Sequence, residues 1–271
     1  DDYAGPCSGI DACVNWNDKV GEDFTYNLGL NITFTKNKLR KTNELSNIED
    51  YRKSIGQPTS AIFGWQSQGL FGKDVAIAGH PFQSFGNYQV GDIAYADLNN
   101  DGMVDNNDQT RIGQSFPKTT LGVDVTLNYK GFGLYILGTA TTGVTQMLTS
   151  TYYWNKGLDG YSVLAEDRYH PVNNPTGTQP RLTTTSGVNN YRNSTFWTKN
   201  GSFFRLKNVE LSYTLNNNSK KGIGKNYKFF VRGANLFVLS GIKELDPEQM
   251  LAGISNYPVY RTITGGVSIN F

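Results

Sequence analysis

The chain has 271 residues, with 25 basic and 23 acidic side chains and a net charge of +2. This balance argues against a nucleic-acid-binding protein, which would normally carry a basic patch or stripe. A mean hydropathy of -0.45, with no apolar run near about 18 residues, excludes a transmembrane helix. This composition is still compatible with a protein whose strands cross the membrane. A membrane-spanning strand needs only about 9–11 residues, and every second one can be polar.

Alternation of apolar and polar residues with a period of two is the dominant pattern. It runs over 24–35, 121–129, 209–215 and 263–271. Successive side chains of a strand point to opposite faces, so each segment has one apolar and one polar face. With their flanks, these segments predict strands of about 10–13 residues. That length exceeds the usual 5–6 or so and is typical of tilted membrane-spanning strands.

The links between the predicted strands alternate between short and long. Short turns at one edge and long loops at the other are typical of outer-membrane barrels. The predicted short links are 18–23, Lys130-Gly131 and 216–226, and the predicted long, external links are about 36–116, 143–201 and 240–258.

The predicted fold class is all-β: about seven strands of an antiparallel transmembrane β-barrel, with long extracellular loops. With their flanks, two of the alternating segments extend to about 117–129 and 203–215. Two further strands are expected near 132–142 and 227–239, and a short piece near 12–18 is expected to end one more strand. Seven strands cannot close such a barrel, because single-chain bacterial barrels have an even count and an open edge in lipid leaves backbone groups unpaired. An upstream part is therefore expected. A soluble β-sandwich is the alternative, although loops of roughly 50–80 residues are uncommon in compact domains.

The two cysteines, Cys7 and Cys13, are six positions apart. In an oxidising envelope they are expected to close a small disulfide loop, and two unrelated thiols are the alternative. A metal site is not expected there, since no other cysteine exists and His80 and His170 lie far away in sequence.

An acidic segment, 97–108, matches the calcium-loop template D-x-[DN]-x-[DN]-G. Gly102 stands at position 6, where the template requires a sharp turn. Asx-rich segments also form turns without any ion, which is the alternative. The candidate ligands of a structural Ca²⁺ are the side chains of Asp97, Asn99, Asp101, Asp105 and Asp108, at positions 1, 3, 5, 9 and 12, and the carbonyl of Met103 at position 7.

No pattern of residues predicts an enzyme. There is no phosphate-binding Gly-rich loop, nucleophile elbow or zinc spacing, and His170 has no paired nucleophile, so a structural role is favoured for it. The links contain large aromatic residues that could stack on sugars or on a partner, or pack among themselves. These residues are Trp65, Tyr153, Trp154, Tyr161 and Trp197.

Several motifs resemble the SusC/RagA-type TonB-dependent transporters, in the same order and over nearly the whole chain. The most specific is Gly91–Gly102, GDIAYADLNNDG. Gly64–Phe71 is similar to the family's GYxxDGxF stretch, with Gln68 in place of the acidic residue. The other similar segments are Phe203–Leu215, Asn235–Phe237 with Asp246–Glu248, and the alternating C-terminus that ends at Phe271.

The resemblance implies a location in the bacterial outer membrane and a barrel of about 22 strands around a plug. It implies a SusD-like surface lipoprotein as partner, energy from the TonB complex, and import of glycans or oligopeptides. Residues 1–271 are then expected to be roughly the last third of the barrel, and the plug and the TonB-contacting segment belong to the remaining N-terminal part. Polar alternate positions are expected to face the lumen or the plug; these are Asn27, Asn31, Asp124, Asn128, Asn208 and Glu210.

Two further functions remain open on the sequence. One is a secreted calcium-binding β-sandwich that serves as an adhesion or glycan-binding module. The other is a passive porin, which would have no plug upstream.

Overall fold

The fold was obtained as a computed structural model, which describes residues 5–45, 47–157, 160–183, 189–216, 226–249 and 257–270. Strands dominate this part of the chain, with four short 3₁₀ helices at Asp50–Arg52, Asn106–Asp108, Val163–Asp167 and Thr195–Trp197. Within it, no helix is long and apolar enough to cross a membrane. The strands are β1 Cys7–Val20, β2 Phe24–Asn37, β3 Ala61–Trp65, β4 Ser67–Leu70, β5 Phe82–Gln83, β6 Ile93–Tyr95, β7 Met103–Val104, β8 Gln109–Gln114, β9 Thr119–Tyr129, β10 Phe132–Thr142, β11 Thr145–Met147, β12 Thr198–Asn200, β13 Phe203–Asn216, β14 Asn226–Ser240 and β15 Thr262–Asn270.

Seven long strands form one antiparallel sheet in the order β1-β2-β9-β10-β13-β14-β15. Each strand pairs with the next long strand along the chain. The sheet is open, because β1 and β15 lie at its two ends. The predicted fold class and strand count are therefore confirmed.

The first strand is longer than the sequence pattern predicted. β1 covers 14 residues, Cys7–Val20, so the piece near 12–18 is a whole strand rather than the end of one. Small and polar residues among Ile10, Val14 and Trp16 weaken the apolar signal, but pairing with β2 along its full length holds the segment extended.

The predicted disulfide is wrong. Cys7 and Cys13 are both free and exposed, and both lie in β1. Six residues of extended strand span about 20 Å, whereas bridged cysteines have Cα atoms roughly 4.4–6.8 Å apart.

The connections of the large sheet are short at one edge and long at the other. β9 and β10 meet in a two-residue turn, in which Lys130 has φ 46° and Gly131 has φ 86°. Positive φ at both positions is the geometry that matches the twist of a hairpin, and glycine adopts it without steric cost. The predicted polar turn at 216–226 lies mostly outside the described residues.

The long connections, 38–118, 143–202 and 241–261, pack together into a folded layer, which we call the loop unit. Its described residues form four two-stranded sheets: β3 with β8, β4 with β6, β5 with β7, and β11 with β12. Its apolar core takes residues from all three connections, among them Trp65, Trp197 and Ile242. Among the residues that the structure describes, the buried apolar core therefore lies in the loop unit rather than in the large sheet.

Candidate functional site

The large sheet has one apolar and one polar face. Cross-strand partners share a face, so the register assigns every position. One row of partners is Trp16, Leu28, Val125, Ile136, Val209, Gly233 and Ile263, and the adjacent row is Asn17, Asn27, Thr126, Tyr135, Glu210, Arg232 and Thr264.

The predicted polar positions all lie on the polar face. The same registers bring together Asn27, Asn31, Asp124, Asn128, Asn208 and Glu210. Next to them on the other face, large apolar side chains such as Leu211, Val231 and Ile263 are exposed by 55% or more. Water does not favour so broad an apolar surface, whereas a lipid environment does.

A charged cluster lies on the polar face across β13 and β14. Glu210, only 8% exposed, accepts hydrogen bonds from Lys228 Nζ at 2.7 Å and from Arg232 Nε at 2.9 Å. Arg232 is the direct partner of Glu210 across β13 and β14, and opposite charges in such pairs attract. With one carboxylate and two basic groups, the cluster itself carries a net charge of +1.

Residues of the GDIAY segment hold the first two long connections together. Asp92 is 1% exposed and accepts a hydrogen bond from Asn190 Nδ2 at 2.8 Å. Arg181 Nε lies 2.8 Å from Asp92 Oδ1 in an ion pair outside hydrogen-bond geometry. Asn190 Oδ1 in turn accepts from the backbone N–H of Ile93 at 2.9 Å. The GDIAY motif is thus buried and joins the first long connection to the second. The sequence pattern did not predict its partners in the second connection, Arg181 and Asn190.

A second part of this anchor surrounds Tyr95. Gln83 Oε1 accepts from the Tyr95 N–H at 2.7 Å, and the Tyr95 hydroxyl donates to the carbonyl of Asn189 at 2.7 Å. Burial raises the pKa of Tyr95 far above its usual range, so the hydroxyl remains a donor at any physiological pH. Beside it, the Arg192 guanidinium lies 3.8 Å from the ring centre of Phe85, and burial lowers the pKa of Arg192.

The third long connection is attached to the sheet by an ion-pair group. Arg205 of β13 is 3% exposed and donates from Nη2 to both carboxylate oxygens of Asp246 at 2.7 Å. Its Nε donates to Glu248 Oε1 at 3.0 Å. Lys207 Nζ reaches Glu248 from the same strand at 2.9 Å. This gives the Asp246–Glu248 motif a positioning role that the sequence did not reveal.

The acidic segment 97–108 forms a compact loop that its own backbone stabilises. The Asp97 carboxylate accepts from the N–H groups of Asn100 and Gly102 at 2.7 and 2.9 Å. Gly102 has φ 87°, the conformation expected at position 6 of a calcium loop. Trp65 Nε1 donates to the Asp105 carbonyl at 2.7 Å, which fixes the loop to the core.

The other candidate calcium ligands are also engaged within the loop. Asn99 Oδ1 accepts from the Asp101 N–H, and Asp101 Oδ1 from the Met103 N–H. The buried Asp108 accepts at Oδ1 from the N–H groups of Leu98 at 2.7 Å and Asn99 at 3.4 Å, and at Oδ2 from the N–H of Asp105 at 2.8 Å. Across the described residues, no three His, Cys, Asp or Glu side chains converge as a metal site. Because both of its carboxylate oxygens already accept backbone hydrogen bonds, Asp108 fits a bidentate ligand role poorly. The loop has the contacts of an Asx-rich turn.

The remaining candidates have mainly structural surroundings. His170 Nδ1 accepts from the N–H groups of Val172 and Asn173 at 3.2 and 3.0 Å, which closes a turn. Of the link aromatics, Trp65, Tyr153 and Trp197 are buried in the core of the loop unit, whereas Tyr161 is 44% exposed.

No protein-family model matches the chain. The chain is 32% identical over 198 residues to TonB-dependent receptor P26 of Formosa agariphila, an alignment that covers 67% of this chain and 20% of the receptor. It is 25% identical over 276 residues to TonB-dependent receptor SusC of Bacteroides thetaiotaomicron, which covers 97% of this chain and 26% of that receptor.

Solved structures share the fold. The RagAB peptide importer in its open-open state superposes with a TM-score of 0.71 and 17% identity, covering 99% of this chain and 29% of that one. The chain thus spans 20% to 29% of the length of these relatives. They are named as receptors and an importer, in agreement with the prediction that the chain is not an enzyme. The relatives, the fold and the motifs show that this chain belongs to the SusC/RagA-type TonB-dependent transporters of the outer membrane and forms a portion of the barrel with its long loops.

Proposed function

We propose that the chain forms part of the wall and outer loops of an active importer, which takes up glycans or oligopeptides with a SusD-like surface lipoprotein and TonB energy. The observation that carries this proposal is the two-faced sheet. Its apolar face suits lipid, and its polar face, with Glu210, Lys228 and Arg232, suits a water-filled lumen that encloses a plug.

The loop unit supports the same proposal. All three long connections leave the sheet at one edge, which we assign to the outside of the cell. They share one apolar core and buried hydrogen bonds such as that between Asp92 and Asn190, so they form a fixed surface rather than separate loose loops. A surface of this kind can bind both a lipoprotein and a substrate.

The remaining N-terminal part of the transporter would supply the plug and the contact with TonB. RagAB is described as a peptide importer, which makes oligopeptides one candidate substrate class for this protein. Glycans are the other candidate class, and the growth experiment below distinguishes the two classes.

The test is growth of a strain that lacks the gene, on panels of single oligosaccharides and of oligopeptides as the only nutrient. We expect loss of growth on one panel, restoration by the wild-type gene, and the same loss when TonB is inactivated. Uptake that persists without TonB would instead indicate a passive porin. A secreted adhesion or glycan-binding module predicts unchanged growth on every nutrient.

We further propose that the loop 97–108 binds Ca²⁺ weakly, as a structural ion. Asp97, Asn99 and Asp101 are not deeply buried. Each carboxylate oxygen of Asp97 and Asp101 accepts one hydrogen bond within the loop and retains a second lone pair. With Asp108 engaged elsewhere, we expect a dissociation constant of about 10⁻⁴–10⁻³ M, the range of extracellular calcium modules.

Thermal unfolding of the purified transporter tests the calcium site. Ca²⁺, but not Mg²⁺, should raise the Tm, since a ligand that binds only the folded state stabilises it. Asp101→Asn should abolish the increase while keeping an acceptor for the Met103 N–H, and Asn106→Ser should preserve it. An unchanged Tm in saturating Ca²⁺ would leave the loop as an ion-free turn.

A further inference from the structure

A pocket of about 370 Å³ lies where the outer ends of β2 and β9 meet the first long connection. Of the described residues that line it, four are basic, namely Lys36, Lys38, Arg111 and Lys118, and none is acidic. Within the described part of the chain, none of the four takes part in an ion pair. Like charges gathered in this way repel one another, so the arrangement favours an anion between them.

The guanidinium of Arg111 is held in place without being neutralised. Its Nη1 donates to Gln57 Oε1 and its Nη2 to Gln114 Oε1, both at 3.0 Å. Gln114 is 7% exposed and is itself fixed, because its Nε2 donates to the carbonyl of Gly143 at 2.7 Å. Neutral amide partners orient the group while its full charge remains available to a ligand.

The polar face of the sheet continues into this pocket. Lys118 extends the ladder of β9, since its N–H donates to Thr142 and its carbonyl accepts from Thr35. Alternation from Asp124 and Thr126 places Lys118 on the polar face, and a Cβ at Gly143 would lie 2.9 Å from the Lys118 Cβ. The same alternation from Asn31 places Phe34 and Lys36 on the other face. The pocket therefore lies at the outer rim of the sheet, with Lys118 on the side that we assign to the lumen.

A second pocket of about 440 Å³ shares Arg111, Gln114 and Lys118 with the first and continues to Lys199. At the rim of the first pocket, Phe116 is 65% exposed. An exposed aromatic ring beside cations suits a sugar ring with an acidic substituent, because the ring can stack while the acid binds the basic groups. The two adjoining pockets provide room for more than one sugar unit.

We propose that this pair of pockets binds the carboxylate or sulfate groups of an acidic oligosaccharide as it enters the transporter. The inference rests on the proposed import function and specifies its substrate class. Lys118 and Arg111 bind the anion directly, and Gln57 and Gln114 position Arg111.

The test uses the full-length transporter with its lipoprotein in detergent, and measures binding of hexagalacturonate and of a sulfated carrageenan hexasaccharide. At least one should bind to the wild-type protein, and more weakly as salt is raised. The double substitution Arg111→Gln/Lys118→Gln should weaken that binding about ten- to hundredfold, the effect of losing charge-assisted hydrogen bonds. Lys243→Gln, which removes one charge from the third connection, should leave binding unchanged.

Three results would overturn the assignment. If the double variant binds as tightly as the wild-type protein, these pockets are not the binding site. If hexaglutamate binds in preference to both acidic sugars, the substrate is an acidic peptide. Lipopolysaccharide binding that depends on Arg111 and Lys118, with oligosaccharide binding unaffected, would make the pocket a lipid headgroup site.

The growth experiment distinguishes failure of this inference from failure of the import function on which it rests. If the gene restores growth on neutral glycans or peptides alone, import stands and the acidic substrate class fails. If deletion of the gene changes growth on no nutrient, the import function itself fails.

Discussion

Val125→Lys should block assembly of the barrel, whereas Thr126→Lys should not. Val125 lies between Leu28 and Ile136 on the apolar face, and a lysine near the bilayer midplane on that face costs about 2–4 kcal/mol. Thr126 lies between Asn27 and Tyr135 on the polar face, where a charged group remains hydrated.

The measurement is the folded fraction of the transporter after insertion into liposomes, read from its altered mobility on unheated gels. The two variants carry the same new side chain at adjacent positions, so each is the control of the other. Equal folding of both would show that the faces are assigned wrongly.

Trp197→Ala should loosen the loop unit while the barrel remains intact. Trp197 is 2% exposed in its core, and its Nε1 donates to the carbonyl of Asn190 at 2.7 Å. Truncation of a buried tryptophan typically costs about 3–5 kcal/mol. The loss should be local, because no described residue of the large sheet belongs to this core.

Limited proteolysis of the folded transporter measures this effect. Cleavage within 143–202 should become at least tenfold faster in Trp197→Ala, and capture of the proposed surface lipoprotein should weaken with it. Tyr161→Ala is the matched control, since Tyr161 belongs to the same connection but is 44% exposed. A cleavage rate like that of the wild-type protein would mean that the long connections do not depend on a shared core.

The sequence determined the sheet. Alternation is a local property of a strand, so the strands near 132–142 and 203–215, their two faces and the order of short and long links could all be predicted. β1 was underestimated because its apolar positions are less regular, and the disulfide prediction failed because spacing in sequence does not show whether the intervening chain is extended.

Only the tertiary structure decided how the long connections are organised. The contacts of Asp92 with Asn190, of Arg205 with Asp246 and of Arg111 with Gln57 join residues about 40 to 100 positions apart. No periodicity relates such residues, because side chains of irregular segments meet through packing rather than through a repeat of the backbone. The sequence therefore determined the two-faced wall of the transporter, and tertiary packing decided the loop unit and the basic pocket beneath it.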